Sequence, residues 1–526
     1  MTSPQEVSSP LVSPVVGIDA LSVYVPRPYV DLTGEWAESR LESSGADSVE
    51  NLVGKIRLGI GVERMAIPDA HEDIATMAAM AVKKLIETSG IDPKDIAYLA
   101  VGTESTVDQS KSAAAYVLGM LERYYDVDLA HVGCPQFQFA CAGASYALES
   151  ALAAVKAEVF DRPYAIVVAS DVARYSLESP GEYTQGAGAV AMLVSRNPRL
   201  MVIDPKLTAT VTRDERDFFR PNYSKTAVVD GKYSIGVYLD CIERALDYFL
   251  AKDGLKSGFL SQTEAKPEHL YDLIDHFVFH VPFPKMAEYA MARLASKLWG
   301  NHKDFTASQA LIREAGHESS PEQKSALDRA IAKLPEFRQA YATKVAPSLR
   351  FTREIGNIYT GSIFLAIASL IEAANAGDRN LAGQKTLLLS YGSGATAKVF
   401  IAEFVPTYRE VYPGTPVTQW LSRSRESEQE RFALSVTKYE SIHAASEVSY
   451  GSAAELKRQG ASAAPLRDGI IHPQVSLGDD RGTFHISTNP QSIRKPQDEF
   501  ALVRVGNDDS KDKTDVGYRY YDWVAR

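Results

Sequence analysis

Only three cysteines occur in 526 residues, Cys134, Cys141 and Cys241. So few in so long a chain exclude a disulfide framework and a cysteine-rich metal site, and they fit a reducing cytoplasm. Long apolar runs are also missing. The candidates at 362–372 and 386–390 are too short to cross a bilayer, so the sequence predicts a soluble protein with no membrane partner. There is no basic excess either: 56 Lys and Arg stand against 67 Asp and Glu, a net charge of -11. That argues against a nucleic-acid partner while leaving room for one local basic groove. Residues 1–14 have neither a basic stretch nor an apolar run, and they read as a flexible polar tail rather than a signal or transit peptide.

What is present is ordinary globular composition, 45% hydrophobic and 23% charged, enough for one large or two ordinary domains. Short β-branched apolar runs at 15–25, 96–102, 164–170, 187–194, 274–279, 386–390 and 398–405 read as buried strands. Helical patterns lie between them. In 72–89, Ile74, Met77, Ala78, Ala81 and Leu85 recur on one face and Gly90 follows the end. Segment 143–158 is an Ala-rich helix, and 357–375 is apolar nearly all round, as befits a helix buried between layers. Strands alternating with helices predict an α/β architecture with a largely parallel sheet.

A weak internal echo, TQGAGAVAMLV at 184–194 and YGSGATAKVFIA at 391–402, suggests two related halves, although glycines commonly precede strands. The expected organisation is a tail at 1–14, an N-terminal half at 15–200, a C-terminal half at 201–405 and an extension at 406–526. A charged helical insertion is expected at about 296–345. Within the extension, 508–515 reads as a solvated linker and the aromatic 517–526 as a segment that docks on the body. Neither the insertion nor the extension shows chemistry, and both are expected to be surface elaboration.

Four residues stand out for chemistry. Cys141 is followed by small residues and then a helix, where unpaired N–H groups and the helix dipole would lower a thiol's pKa and leave room for an acyl group. The bland alternative is a buried inert cysteine. Glu104 falls just past the end of an apolar strand, where open α/β sheets place ligands; a partly desolvated carboxyl there suits a general base. His280 ends the run DHFVFH ahead of Pro282 and could orient or polarise a carbonyl, with Lys285 five residues on to meet a phosphate or carbonyl. Asn357 follows Gly356 and opens the buried helix, as a ligand group or as a plain N-cap.

Taken with their surroundings, these residues resemble the hydroxymethylglutaryl-CoA (HMG-CoA) synthases of the thiolase-like superfamily, in their prokaryotic and archaeal branch. The matching strings include GKIRLGIGVERM at 54–65, VGTES at 101–105, FAC at 139–141, VVASDVARY at 167–175 and EYTQGAGAVAML at 182–193. They continue with VVDGKYS at 228–234, HVPFPKM at 280–286, GNIYTGS at 356–362 and SYGSG at 390–394. The resemblance covers roughly 15–405. It implies a duplicated α/β fold with layered sheets around central helices, assembled as a homodimer in the cytoplasm.

By position, the resemblance makes Cys141 the acylated nucleophile, Glu104 the general acid/base and His280 the residue that holds acetoacetyl-CoA. Asn357 and Ser393 match polar groups around the substrate carbonyls. Thr184 and Ser234 match the acyl pocket, and Lys55 and Lys285 match CoA contacts. The implied reaction condenses acetyl-CoA with acetoacetyl-CoA in isoprenoid (mevalonate) biosynthesis, with no metal and no cofactor beyond the CoA thioester substrates. Two positions depart from the family pattern: Ala142, where many members carry tyrosine, and Tyr289, where a lysine is common.

A thiolase would want a second cysteine near YGSG, and none follows Cys241; a ketoacyl synthase would lack an equivalent of Glu104. Two alternatives stay open. One is a polyketide β-branching synthase that takes acyl groups from an acyl carrier protein, and the other is a non-catalytic acyl-CoA binder.

Overall fold

Alternation of buried side chains builds the centre of the molecule. Along Lys385–Gly392, Leu388 faces one apolar cluster while Leu387 and Leu389 face another, and along Tyr164–Val172 the same two-residue period separates Val167 and Ala169 from Ile166 and Val168. Strands buried on both faces need a layer of helices on each side. The computed structural model describes residues 15–221, 226–252, 267–316, 320–422, 431–447, 496–505 and 518–525, with residue 493 and the short strands Val475–Leu477 and Phe484–Ile486. The tail expected at 1–14 and the linker expected at 508–515 lie outside the described residues.

The main sheet has nine strands: β1 (Val16–Tyr24), β2 (Ile96–Gly102), β3 (Gln136–Phe137), β4 (Tyr164–Val172), β5 (Ala187–Arg196), β6 (Met201–Thr212), β7 (His276–Phe279), β8 (Lys385–Gly392) and β9 (Thr396–Phe404). Their order across the sheet is β7-β8-β9-β6-β1-β5-β4-β2-β3. The chain repeats one pattern. In the first half β2 runs parallel to β4, β4 antiparallel to β5, and β5 antiparallel to β1. In the second half β7 runs parallel to β8, β8 antiparallel to β9, and β9 antiparallel to β6. The glycine-rich echo in the sequence leads into β5 and β9, which hold equivalent places. A two-pair ladder, Gly17 with Val202 and Ile18 with Met201, joins the halves into one sheet, which is more antiparallel than the sequence suggested.

Helices α1 (Ile74–Ser89) and α2 (Ala113–Tyr125) cover the outer face of the first half. Helices α4 (Gly231–Ala251) and α5 (Lys285–Leu298) cover that of the second. Between the halves lie α3 (Gly143–Lys156) and α9 (Ser362–Ala376), packed with the inner faces of both in one apolar cluster. Three further helices, α6 (Thr306–Ala315), α7 (Pro321–Ile331) and α8 (Pro335–Lys344), pack beside α5. The segment Tyr359–Ala376 is apolar and long enough to span a membrane by composition, but 83% of it is buried in this core.

Local signals explain the element ends. Asp73 accepts from the N–H groups of Ala75 and Thr76, the Thr76 hydroxyl accepts from the Asp73 N–H, and Gly90 closes α1 at φ 71°. The extension is not mere surface. Helix α10 (Val436–Glu447) buries Tyr439 and Ile442, and strands β10 (Glu499–Val505) and β11 (Arg519–Val524) seat Phe500, Leu502 and Tyr521 against the first half.

Helix α3 is locked to the other half by side chains. Ser145 Oγ donates to Ser390 Oγ at 2.8 Å, Tyr146 OH meets Thr396 Oγ1 at 2.7 Å, and Lys398 Nζ donates to Glu149 Oε2 at 2.7 Å. The end of β2 touches its backbone: a Cβ on Gly102 would lie 2.3 Å from Ala144 Cα and 2.4 Å from Ala144 N. Gly102→Ala is therefore expected to destabilise the protein by about 1–3 kcal/mol through overpacking, read as a lowered urea midpoint. An unchanged midpoint would show that this contact does not constrain α3.

Candidate active site

The Cys141 thiol donates to Glu104 Oε1 at 3.1 Å, and the two residues are only 8% and 7% exposed. Glu104 lies just beyond the end of β2, and Cys141 two residues before α3. The close approach of Gly102 to Ala144 brings those ends together. Cys141 is not inside the ring of free helix N–H groups expected from the sequence, because Ala142 is the cap residue and a turn intervenes in which the Ala142 N–H donates to Phe139 O. Nor is the thiol acidified. Burial pushes it well above its ordinary value, and the adjacent Glu104 carboxyl adds to the effect. Burial also raises Glu104, to about 7, with Asp171 reinforcing that rise and Arg220 opposing it. At neutral pH the thiol thus keeps its proton, while the carboxyl is near the middle of its titration.

Asp171, at the end of β4, organises the floor. It accepts from six donors: Thr103 Oγ1, the N–H groups of Glu104 and Ser105, Ser105 Oγ, and the N–H and Oγ1 of Thr360. It thereby ties the Glu104 loop after β2 to the turn before α9. That turn begins at Asn357, whose Oδ1 accepts from the Tyr359 N–H and from Ser362 Oγ, each at 2.8 Å. Asn357 does not open the helix as the sequence suggested. A short 3-10 turn, Tyr359–Gly361, stands between, and α9 begins at Ser362. Ala140 and Tyr359 both hold left-handed backbone, at φ 37° and 44°. Such conformations cost about 1–2 kcal/mol each, and they flank the thiol, since Tyr359 packs against Cys141.

The other sequence-derived candidates fall into four groups. Thr184 is buried, and its carbonyl accepts from the Asn357 N–H at 3.0 Å. Ser234 Oγ donates to Asp217 Oδ2 at 2.9 Å, and Asp217 Oδ1 accepts from the Gly394 N–H at 2.9 Å, so Ser234 is linked to the β8–β9 turn that carries Ser393. That turn abuts the Cys141 loop, where a Cβ on Gly392 would lie 2.6 Å from Phe139 O and 2.9 Å from Ala142 Cβ. The small side chain of Ala142 goes with this close approach.

His280 follows β7, its N–H donating to Leu389 O on neighbouring β8. Burial pushes its imidazole down to about 3, so it is neutral at pH 7, and its Nδ1 has no hydrogen-bond partner among the described residues. Lys55 and Lys285 stand apart. They flank a joint where Gly61 packs on Pro284; Lys55 is exposed, and Lys285 Nζ pairs with Glu288 at 2.8 Å. Neither lysine contacts the Glu104–Cys141 pair.

Several participants were not singled out from the sequence: Asp171, Arg220, and the ring cluster of Tyr175, Phe218 and Tyr359. Asp171 had a readable signal, as an acidic residue near the end of a largely apolar strand. The expectation that the extension is surface elaboration is corrected here. Tyr439 OH in α10 accepts from Gln185 Nε2 at 2.7 Å, Gln185 Oε1 accepts from the Tyr175 N–H at 2.8 Å, and His443 Nε2 lies 2.7 Å from Tyr175 O. Helix α10 thus braces the loop that carries Tyr175 and Thr184.

A buried cysteine beside a carboxyl with a raised pKa can take up an acyl group and then move a proton at that acyl group's carbon. Comparisons with known proteins agree with that chemistry. Family models described as hydroxymethylglutaryl-coenzyme A synthase N terminal and C terminal match residues 13–198 and 201–465. The hydroxymethylglutaryl-CoA synthase of Haloferax volcanii is 32% identical over 440 residues, spanning 81% of this chain and 91% of that protein. The enzyme of Enterococcus faecalis is 31% identical over 394 residues, spanning 75% of this chain and 84% of its own length. A solved structure of MvaS in complex with 3-hydroxy-3-methylglutaryl coenzyme A aligns at TM-score 0.72 and 29% identity, over 97% of this chain and 99% of that one. The HMG synthase of the curacin pathway, at 20% identity and TM-score 0.67, shares the fold. With family models over both halves and relatives above 30% identity along most of its length, the chain belongs to the hydroxymethylglutaryl-CoA synthase family, carbon–carbon bond-forming enzymes of the thiolase-like fold.

Proposed function

We propose that the protein condenses acetyl-CoA with acetoacetyl-CoA and water, giving HMG-CoA and CoA through an acetyl group carried on Cys141. The observation that carries this reading is the buried contact of 3.1 Å between the Cys141 thiol and Glu104 Oε1. Family membership and the HMG-CoA complex of a similar MvaS support it.

In the first step Glu104 takes the thiol proton, the Cys141 sulfur attacks the acetyl carbonyl, and the C–S bond to CoA breaks. CoA leaves as its thiol, with the proton that Glu104 returns. In the second step the Glu104 carboxylate removes a proton from the methyl of acetyl-Cys141. A base with a pKa of about 7 suits both the removal and the return of a proton near neutrality. The enolate attacks the ketone carbon of acetoacetyl-CoA, and the new alkoxide takes the proton that Glu104 removed from the methyl group. Water then cleaves the thioester to Cys141 and frees HMG-CoA.

His280, held neutral by burial, offers one N–H to a substrate carbonyl without adding a charge. Asn357 and Ser393 sit on the two turns that flank the nucleophile loop, where they suit the carbonyls of the second substrate. Thr184 and Ser234 border the acyl pocket, and Lys55 with Lys285 suits the CoA chain farther out. No redox or metal chemistry is required by these steps.

Mass spectrometry after incubation with acetyl-CoA is expected to show an acetyl adduct that Cys141→Ser abolishes; an absent adduct would favour a non-catalytic acyl-CoA binder. Glu104→Ala should still acetylate, though more slowly because the acceptor of the thiol proton is gone, and should lose ~10²-fold or more in condensation, the scale of a general base. Acetylated Glu104→Ala that condenses at the native rate would confine Glu104 to the first step and overturn its role as the condensing base. His280→Ala should acetylate normally and condense roughly 10²-fold more slowly, as when one polarising donor is removed. Acetoacetate offered on a carrier protein provides the remaining arm, because turnover of that form alone would assign the enzyme to carrier-bound substrates.

A further inference from the structure

Arg220 reaches the candidate base from the side opposite Cys141. It follows the short strand Phe218–Phe219, and its side chain is only 17% exposed. Its Nη1 donates to the main-chain oxygen of Glu104 at 2.7 Å and lies 3.4 Å from Glu104 Oε2. The guanidinium carbon sits 5.7 Å from the Phe218 ring centre and 5.8 Å from that of Tyr359, within the range of a cation–π contact with each. The two carboxyl oxygens of Glu104 are therefore committed to different partners, Oε1 to the thiol and Oε2 to the guanidinium.

We propose that Arg220 is a positioning residue: it grips Glu104 by its backbone and its Oε2, keeps Oε1 turned to Cys141, and stabilises the anion that forms when the thiol gives up its proton. The titratable groups around this pair are Asp171 on β4, Tyr175 on the loop after β4, and Tyr359 on the turn before α9. Asp171 adds negative charge and the tyrosines none at neutral pH, so the cluster holds two carboxyls and a thiol in a desolvated space. A cation against this cluster lowers the cost of its second negative charge. The direction at each group agrees: Arg220 opposes the rise of both Glu104 and Cys141. A hydrophobic shelf of Phe218 and Tyr359 fixes the guanidinium where a flexible lysine would not be held as well.

The inference rests on Cys141 and Glu104 acting as proposed above, yet its test does not use the reaction. Iodoacetamide alkylation of Cys141, resolved at the peptide level from Cys134 and Cys241, would be followed across pH. In Arg220→Gln the alkylation profile is expected to move to higher pH by about one unit or more, as when an opposite charge is withdrawn from a buried group. At fixed neutral pH that is roughly a tenfold slower reaction. Arg220→Lys, which keeps the charge without the planar fork, should lie between that variant and the native protein. Superimposed profiles for native protein and Arg220→Gln would overturn the proposal, as would an Arg220→Lys profile equal to that of Arg220→Gln. If Arg220→Gln does not fold, Phe218→Leu decides instead: a smaller shift in the same direction is expected, and no shift overturns the proposal. Failure of the functional reading would appear separately, as a native Cys141 that alkylates but takes no acetyl group from acetyl-CoA.

Discussion

A thiol and a carboxyl in contact at 3.1 Å, both shut away from water, form the constraint around which the molecule is arranged. Such a pair resists carrying two charges, because burial raises the cost of each anion and the neighbour adds to it. The same resistance makes the pair useful, since one proton held between two groups can be moved without reorganising solvent. The surroundings make the arrangement tolerable. Asp171 spends its charge on six hydrogen bonds that fix the adjoining loops, and Arg220 closes the other side.

Duplication of the fold supplies the geometry. Each half sends one central helix into the common core, α3 from the first and α9 from the second. The turns before these helices, with Cys141 in one and Asn357 to Thr360 in the other, meet at the Tyr359 ring, and Asp171 ties the second of them to the Glu104 loop after β2. Helix α3 cannot drift, since Ser145, Tyr146 and Glu149 are bonded to β8 and β9 of the other half. Left-handed backbone at Ala140 and Tyr359 is held in place by this over-determined packing.

Much of this was legible in the sequence, for identifiable reasons. The helix at 72–89 showed its period and its closing glycine, and the glycine-rich echo marked β5 and β9 because both need close backbone approach at their start. Cys141 and Glu104 were readable as small-residue and strand-end positions respectively. The charge state of the thiol was not. A helix-end argument predicts an acidified cysteine, whereas the cap at Ala142 and the burial beside Glu104 produce the reverse. Long-range partners were equally invisible. Arg220 lies 116 residues from Glu104, and Tyr439 lies 254 residues from Gln185, so no local pattern joins them. Helix α10 read as polar elaboration because, among its described residues, the buried face is Val436, Tyr439, Ile442 and His443, too short a stripe to stand out.

The most direct test of the central claim separates condensation from acetylation. Enzyme acetylated beforehand on Cys141 would be mixed with acetoacetyl-CoA in single turnovers across pH, so that only the proton-transfer and carbon–carbon bond-forming steps are seen. With Glu104 as the base, the rate should fall as pH drops through about 7, where the carboxyl takes up its proton, and this limb should vanish in Glu104→Ala. A flat profile in the native enzyme, or the same limb persisting in the variant, would contradict the account.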